Sequence, residues 1–112
     1  MAILRGSNYS QYLYGTSYSD LMYGYAGNDR IYAYGGNDTV DAGSGNDLVD
    51  GGAGADYILG GTGYDTLYGG DSNDQIFGQA GNDYLSGGNG ADKLTGGDGA
   101  DRIYGGASND NL

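Results

Sequence analysis

Eleven aspartates recur along the chain at a constant spacing of nine residues, with no insertion that breaks the phase. Carboxylates brought together in pairs could work as general acids and bases, or they could hold a hard cation such as Ca²⁺. All fifteen acidic residues of the chain are aspartates, whose short side chain suits a tight turn. The periodic series consists of Asp20, Asp29, Asp38, Asp47, Asp56, Asp65, Asp74, Asp83, Asp92, Asp101 and Asp110.

These aspartates are the sixth residues of nine-residue blocks that begin at Gly6. Of the 26 glycines, 25 occupy positions one, two or four of a block. Position eight is apolar in every block, as at Ile58 and Leu67. A fixed period of this kind is the signature of a repeat architecture in which each unit buries its apolar face against the next.

The period predicts the local structure of each block. Glycines at positions one, two and four permit backbone angles that other residues avoid, so the first six residues should form a turn. Positions seven to nine, such as Tyr57–Leu59, suit a short strand whose middle residue points inward. Two blocks then form one coil of eighteen residues. The sequence predicts an all-β parallel solenoid of about six coils, a rod roughly 25–30 Å long at ~4.8 Å per stacked strand.

Composition excludes several classes of function. The chain has no cysteine and no histidine, so it offers neither disulfides nor thiolate or imidazole ligands. A net charge of −11 argues against nucleic acid as a partner. No stretch is apolar enough to span a membrane, and we see no secretory signal peptide at the N-terminus.

Coiling places aspartates eighteen residues apart above one another on two edges of the solenoid. One column runs from Asp20 to Asp110 and the other from Asp29 to Asp101, with five and four gaps between neighbours. Each gap offers two carboxylates and the carbonyls of glycine-rich turns, which suits Ca²⁺ better than Mg²⁺. We therefore expect up to nine Ca²⁺ ions, with backbone ligands from Gly27, Gly36, Gly43, Gly45, Gly52, Gly54, Gly61, Gly63, Gly70, Gly81, Gly88, Gly90, Gly97 and Gly99.

The calcium interpretation bears on catalysis and on folding. Carboxylates clamped on a cation are poor proton shuttles, so the chain is not expected to be an enzyme. Stacked aspartates repel one another, and one inward residue per block makes a thin apolar core. The chain is therefore expected to fold only when calcium neutralises the columns.

The blocks "GGAGADYIL", "GGTGYDTLY", "GGNGADKLT" and "GGDGADRIY" resemble the RTX (repeats-in-toxin) nonapeptide Gly-Gly-x-Gly-x-Asp-x-hydrophobic-x. The resemblance covers nearly the whole chain. It implies a right-handed parallel β-roll with Ca²⁺ between adjacent turns, secretion by a type I pathway and folding in extracellular calcium. Proteins of this family usually carry a separate catalytic or toxin module, so the chain is interpreted as an excised or engineered repeat module with a structural, secretion-linked role.

The first two blocks depart from the family pattern. Tyr9 and Tyr18 replace the position-four glycine, and Gln11 replaces the aspartate. We treat residues 1–112 as one domain, in which residues 1–23 form a degenerate cap held by aromatic packing and residues 24–112 form the calcium-binding repeats. The last strand is expected to leave an open edge, which favours end-to-end self-association.

Other side chains leave alternatives open. The tyrosines could form a binding surface for polysaccharide, although cross-strand packing is the simpler interpretation. An ice-binding solenoid would need a ladder of threonine or asparagine at position seven, which the sequence lacks. Asp41 and Asp50 fall at outward positions and are interpreted as surface charge, whereas Asp71 and Asp98 are candidates for additional ligands.

Overall fold

The computed structural model describes residues 1–108 and 110–112, and within them every regular element is a short strand. The strands are β1 (Ile3–Arg5), β2 (Tyr12–Tyr14), β3 (Leu21–Tyr23), β4 (Arg30–Tyr32), β5 (Thr39–Asp41), β6 (Leu48–Asp50), β7 (Tyr57–Leu59), β8 (Thr66–Gly70), β9 (Gln75–Phe77), β10 (Tyr84–Gly88), β11 (Lys93–Thr95) and β12 (Arg102–Tyr104). They lie at the predicted positions seven to nine, and β8 and β10 continue two residues further into the next turn.

The strands form two parallel sheets of six strands each, the odd-numbered strands in one and the even-numbered strands in the other. Neighbours within a sheet pair with a constant offset of eighteen residues, so that Val40 lies between Met22 and Ile58. The all-β parallel solenoid of about six coils is thereby confirmed. The constant register follows from the unbroken nine-residue period, because one slipped residue would turn the apolar side chains outward.

The core is a double column of position-eight side chains enclosed between the two sheets. From Met22 to Leu94 these side chains are 0–1% exposed, and Ala33 and Ala42 join them. Leu4, Leu13 and Ile103 are partly buried near the ends of the stack. Leu112, at the last position eight, is 65% exposed.

The molecule is a flat slab with extents of 36 × 32 × 13 Å. The prediction of a rod is therefore wrong for this number of coils. The thin dimension reflects two sheets packed face to face. The other two dimensions are nearly equal because six stacked coils are about as long as one coil is wide.

The turns use their glycines in two different ways. Positions two and four have a left-handed backbone from the block at Gly24 onward, as at Gly52 (φ +82°) and Gly54 (φ +104°). Position one does not, which corrects the prediction that glycine is needed there for its backbone angles. A Cβ atom at Gly51 would lie only 2.6 Å from Oδ2 of Asp56. Position one therefore needs glycine mainly for space, although Ala33 and Ala42 fill it in two blocks.

The backbone angles predict different costs of an alanine at a left-handed position-four glycine and at a position-three glycine. Gly54→Ala places a Cβ on a left-handed residue and against the carbonyl of Gly36, so it should cost about 1–3 kcal/mol of unfolding free energy. Gly35→Ala should change stability by no more than about 1 kcal/mol, because Gly35 lacks a positive φ and the nearest atom, the Ser17 carbonyl oxygen, is 3.4 Å away. Urea denaturation in calcium buffer compares them, and equal losses would contradict this account of the turns.

Candidate metal centre

The predicted aspartate columns exist on both edges of the slab, and each carboxylate joins two turns. The Oδ1 atom of Asp65 accepts the backbone N–H of Asp47 at 2.9 Å, and Asp83 Oδ1 accepts the N–H of Asp65 at the same distance. Equivalent bonds of 2.7–2.9 Å connect each position-six aspartate from Asp20 to Asp92 to the one eighteen residues later. The aspartate series therefore fixes the spacing of the turns.

The second oxygen of these carboxylates has no hydrogen-bond partner. In eight consecutive aspartates the Oδ2 atom is buried and unpaired, although the side chains are only 1–3% exposed. An ionised carboxylate in this state is costly unless a cation or a proton occupies the free oxygen. The eight are Asp29, Asp38, Asp47, Asp56, Asp65, Asp74, Asp83 and Asp92.

Burial changes the protonation of the columns. Desolvation raises the pKa of Asp56 and Asp65 to about 8, against the opposing effect of a backbone N–H and with the help of neighbouring carboxylates. The same causes raise the pKa of Asp47 and Asp74 to about 7. Desolvation also raises the pKa of the remaining members of the eight, to about 6 for Asp38 and Asp83 and upward for Asp29 and Asp92. Without a cation, protons would neutralise the middle of each column first.

Backbone carbonyls of the turns form two groups. Most of those at position two already accept an N–H from the next coil, as Gly52 does from Asp71 at 3.0 Å and Gly61 from Ala80 at 3.1 Å. None of the interturn backbone bonds between described residues ends on a position-four carbonyl such as that of Gly54. Both groups were predicted as ligands, and the position-four carbonyls retain their full capacity to accept.

The donor set fits a hard cation that takes oxygen ligands. Among residues 1–108 and 110–112 no group of three or more acidic side chains could hold a metal by itself. This is a consequence of stacking, because each gap between coils is bordered by two position-six carboxylates. Further oxygens must come from the backbone, and a mixed set of carboxylates and carbonyls is the type that Ca²⁺ accepts.

The first two blocks satisfy their own position-six side chains. The Oδ2 atom of Asp20 accepts the N–H of Thr16 at 2.6 Å and its hydroxyl at 2.9 Å. Burial by itself would raise the pKa of Asp20. These bonds and the N–H of Ala2 outweigh burial, so the pKa lies below its ordinary value. Gln11 accepts bonds from the N–H and the hydroxyl of Ser7. Asp20 was predicted as a ligand, yet unlike the eight it leaves no bare oxygen.

The other residues singled out in the sequence lie at the surface or on the outer faces. Asp41 and Asp50 are half-buried on the outer faces, and Asp50 accepts the N–H of Gly52 at 3.1 Å. Asp71 and Asp98 are exposed, and Asp71 accepts a bond from the side chain of Asn89. Neither Asp71 nor Asp98 belongs to the buried columns.

The tyrosines near the N-terminus pack mainly against one another. Tyr14 stacks on Tyr32 at 5.7 Å and on Tyr34 at 6.3 Å, with the ring planes 13° and 11° apart. By contrast, Tyr9 and Tyr18 are 80% and 72% exposed, so they do not cover the end of the core. Any aromatic packing at this end comes from the strand and position-two tyrosines.

Asparagines at position five form a second ladder that the sequence analysis missed. The Oδ1 atom of Asn46 accepts the N–H of Tyr64, and Asn82 does the same for Ala100, at 2.9 and 2.8 Å. The frequent asparagine at position five was the available signal. It was overlooked because alanine and tyrosine also occur there, so the position does not follow a strict pattern.

Stacked parallel turns with inward carboxylates and free oxygens define the class of calcium-binding β-rolls. The sequence matches the RTX calcium-binding nonapeptide repeat (4 copies) over residues 14–49, 50–85 and 77–112, and the chain belongs to this family. It matches no curated protein. No helix in the described residues is long and apolar enough to cross a membrane.

The pKa values predict how the calcium-free roll responds to pH. The folded carboxylates have pKa values raised to about 6–8, above the unfolded value near 3.9, so the folded state binds more protons. The contribution of these carboxyl groups to the stability of the calcium-free roll should be fully present below about pH 4. That contribution should be lost as the pH rises through 6–8. After calcium removal, the β signal in circular dichroism should be stronger at pH 5 than at pH 8. A signal that grows with pH would contradict this assignment.

Proposed function

We propose that the chain is a calcium-binding module whose aspartate columns hold Ca²⁺ between successive turns and whose folding depends on those ions. The observation that carries this proposal is the set of eight buried Oδ2 atoms without a partner. The membership of the RTX calcium-binding repeat family supports the same cation. A bound Ca²⁺ would supply the positive charge that these oxygens lack.

The proposed ligands are the position-six carboxylates from Asp29 to Asp110 together with position-four carbonyls, and position-two carbonyls as additional ligands. These carboxylates border four gaps on each edge. The ninth predicted gap lies between Asp20 and Asp38, and we leave it out because Thr16 already occupies the Asp20 oxygen. Each inner aspartate borders two gaps, so ion binding should be cooperative along the column.

We propose the division of the chain into a cap at residues 1–23 and calcium-binding repeats at residues 24–112. Two independent features change in the block at residues 24–32. The left-handed turn residues begin at Tyr25, and the unpaired carboxylate oxygens begin at Asp29. The cap would therefore form its turns without an ion, through Thr16 and Gln11.

The module is proposed to be structural, without catalytic activity, and to act outside the cell. Extracellular calcium modules typically bind with Kd ~10⁻⁴–10⁻³ M, so cytosolic calcium would leave the chain unfolded. Calcium would then confine folding to the secreted state. The mutual stacking of Tyr14, Tyr32 and Tyr34 favours a stabilising role for these rings over a polysaccharide-binding one.

Self-association through the end strands is part of this proposal. In the described residues β1, β2 and β12 pair on one side only, whereas β11 is bridged on its outer side by Asn111. Unpaired strand edges are templates for further pairing. Light scattering of the calcium-loaded protein should show mass increasing with concentration, and a constant monomer mass would contradict the association.

A calcium titration after chelation tests the proposed function directly. The chain should change from disordered to β-rich in circular dichroism as calcium reaches the millimolar range, with a cooperative midpoint. Equal concentrations of Mg²⁺ should be much less effective, because Mg²⁺ demands strict octahedral geometry and gives up its waters reluctantly. A strong β signal that survives excess chelator at neutral pH would overturn the proposal.

A pair of isosteric variants separates an ion ligand from a surface charge. Asp65→Asn keeps an oxygen that can accept the Asp47 N–H but removes the charge, so it should destabilise the calcium-loaded roll by about 1.5–3 kcal/mol. Asp50→Asn keeps its acceptor for the Gly52 N–H and should change stability by about 0.5 kcal/mol or less. The readout is the calcium midpoint of folding.

The same pair should behave differently without calcium. There Asp65→Asn removes a buried carboxylate with a raised pKa, so it should make the calcium-free roll at pH 8 easier to form than the parent. Asp50→Asn should not. Equal effects of the two variants on the calcium midpoint would point to diffuse charge and would exclude ions held between the turns.

A further inference from the structure

Asparagine side chains at position five connect one coil to the next along the outer rim of the calcium-binding edges. In five places the Oδ1 atom accepts the backbone N–H of the residue eighteen positions later, at 2.8–2.9 Å. We call each such contact a strap. The straps run from Asn28 to Asn46, Asn37 to Ala55, Asn46 to Tyr64, Asn73 to Ala91 and Asn82 to Ala100.

Two serines make the same contact nearer the N-terminus. The hydroxyl of Ser10 accepts the N–H of Asn28 at 2.8 Å, and Ser19 serves Asn37 at 3.1 Å. An oxygen acceptor at this position is therefore the common requirement, whichever side chain supplies it. From Ser10 to Tyr64 on one edge, and from Ser19 to Ala55 on the other, each gap has its strap.

In the interior of the stack the series is interrupted once on each edge, and both interruptions fall at the same level; Ala91, next to the C-terminal end of the stack, also lacks a side-chain acceptor. Ala55 has no side-chain acceptor, and the Tyr64 side chain makes no bond to the next turn. The gaps from residue 55 to 73 and from 64 to 82 therefore have no strap. Both gaps separate the coil at residues 51–68 from the coil at residues 69–86, and we call this level the seam.

Other contacts continue across the seam. The N–H of Asp56 bonds to Asp74, and the N–H of Asp65 bonds to Asp83, as in every other gap. Aromatic pairs also cross the outer faces, Tyr57 with Phe77 at 5.4 Å and Tyr68 with Tyr84 at 6.0 Å. What the seam lacks is the side-chain bond at the rim beside the carboxylates.

A surface cavity lies along one edge at the seam. It has a volume of about 430 Å³ and is lined by Tyr64, Asp65 and Thr66 on one coil and by Asn82, Asp83 and Tyr84 on the next. Ala100 and Arg102 of the following coil also line it, so the cavity extends past the seam to a strapped gap. Asp65 and Asp83 are only 2–3% exposed, so the hydrogen-bond pattern and not the cavity defines the seam.

We propose that the straps are positioning groups that hold adjacent calcium-binding turns at a fixed separation, and that the seam is the weakest level in the interior of the roll. The inference rests on the proposed function for its calcium part. Outer groups that orient metal ligands commonly tune affinity. The ions between Asp56 and Asp74 and between Asp65 and Asp83 should accordingly leave sooner than those in the strapped gaps on either side.

Amide hydrogen exchange tests whether the seam is weaker than the strapped gaps, because the same type of aspartate N–H bond crosses both. The N–H groups of Asp56 and Asp65 cross the seam, whereas those of Asp47 and Asp74 make the same aspartate bond across strapped gaps. In the calcium-loaded protein the seam amides should exchange about two- to tenfold faster, the factor that corresponds to one net hydrogen bond. Fraying from the ends alone predicts the reverse, because the seam lies inside the roll.

Variants that add a strap provide the second arm. The double variant Ala55→Asn with Tyr64→Asn should slow exchange at Asp56 and Asp65 and slow calcium release to a chelator, measured by stopped flow. Ala53→Asn, which adds the same side chain at an exposed position two residues away, should leave both rates unchanged. The straps would be excluded as positioning groups if the added asparagines had no effect.

Removing a strap completes the design. Asn46→Ala should accelerate exchange at Asp47, and Asn46→Ser should restore part of the protection, because Ser10 and Ser19 already make this contact. Slower exchange at the seam than at Asp47 and Asp74 in the parent would overturn the inference. The calcium titration decides the proposed function separately, so a failure of one can be distinguished from a failure of the other.

Discussion

A buried carboxylate with only one of its two oxygens satisfied is the constraint on which this structure depends. The Oδ1 atom of each inner aspartate binds a backbone N–H of the preceding coil, so the side chain cannot turn away from the interior. Its Oδ2 atom is consequently buried without a hydrogen-bond donor. One residue thus connects the coils and also leaves an oxygen that a cation or a proton must neutralise.

The remaining features of the turn follow from that carboxylate. Position one is glycine in most blocks because a Cβ atom there would approach Oδ2, as at Gly51 beside Asp56. Positions two and four adopt a left-handed backbone, which glycine tolerates best but which Tyr25 and Ser72 also adopt. Strands of three to five residues add only one inward apolar side chain per block. The turns therefore contribute to the specificity of this fold together with the core.

The sequence predicted the features that depend on period alone. The nine-residue spacing gave the strands, the offset of eighteen residues and the two aspartate columns, because each follows from alternation and stacking. It could not predict contacts that depend on side-chain rotamers. This group includes the different roles of Oδ1 and Oδ2 in each aspartate. It also includes the bond from Thr16 to Asp20 and the straps of Asn46 and Asn82. The flat overall shape does not follow from the period either, because it depends on the width of a coil as well as on the number of coils.

A column of buried carboxylates must also end somewhere without leaving a bare oxygen at its last member. The first coil meets this requirement in two ways: Gln11 replaces the charge with a neutral amide that binds Ser7, and Thr16 supplies donors to Asp20. Both solutions occupy the place of a calcium ligand with atoms of the chain itself. The N–H groups of Gln11 and Asp20 donate to the carboxylates of Asp29 and Asp38 in the next coil. Under the proposed division this coil would form its turns without an ion. The departures from the repeat pattern near the N-terminus are therefore consistent with one physical purpose, which is to terminate the charge of the columns.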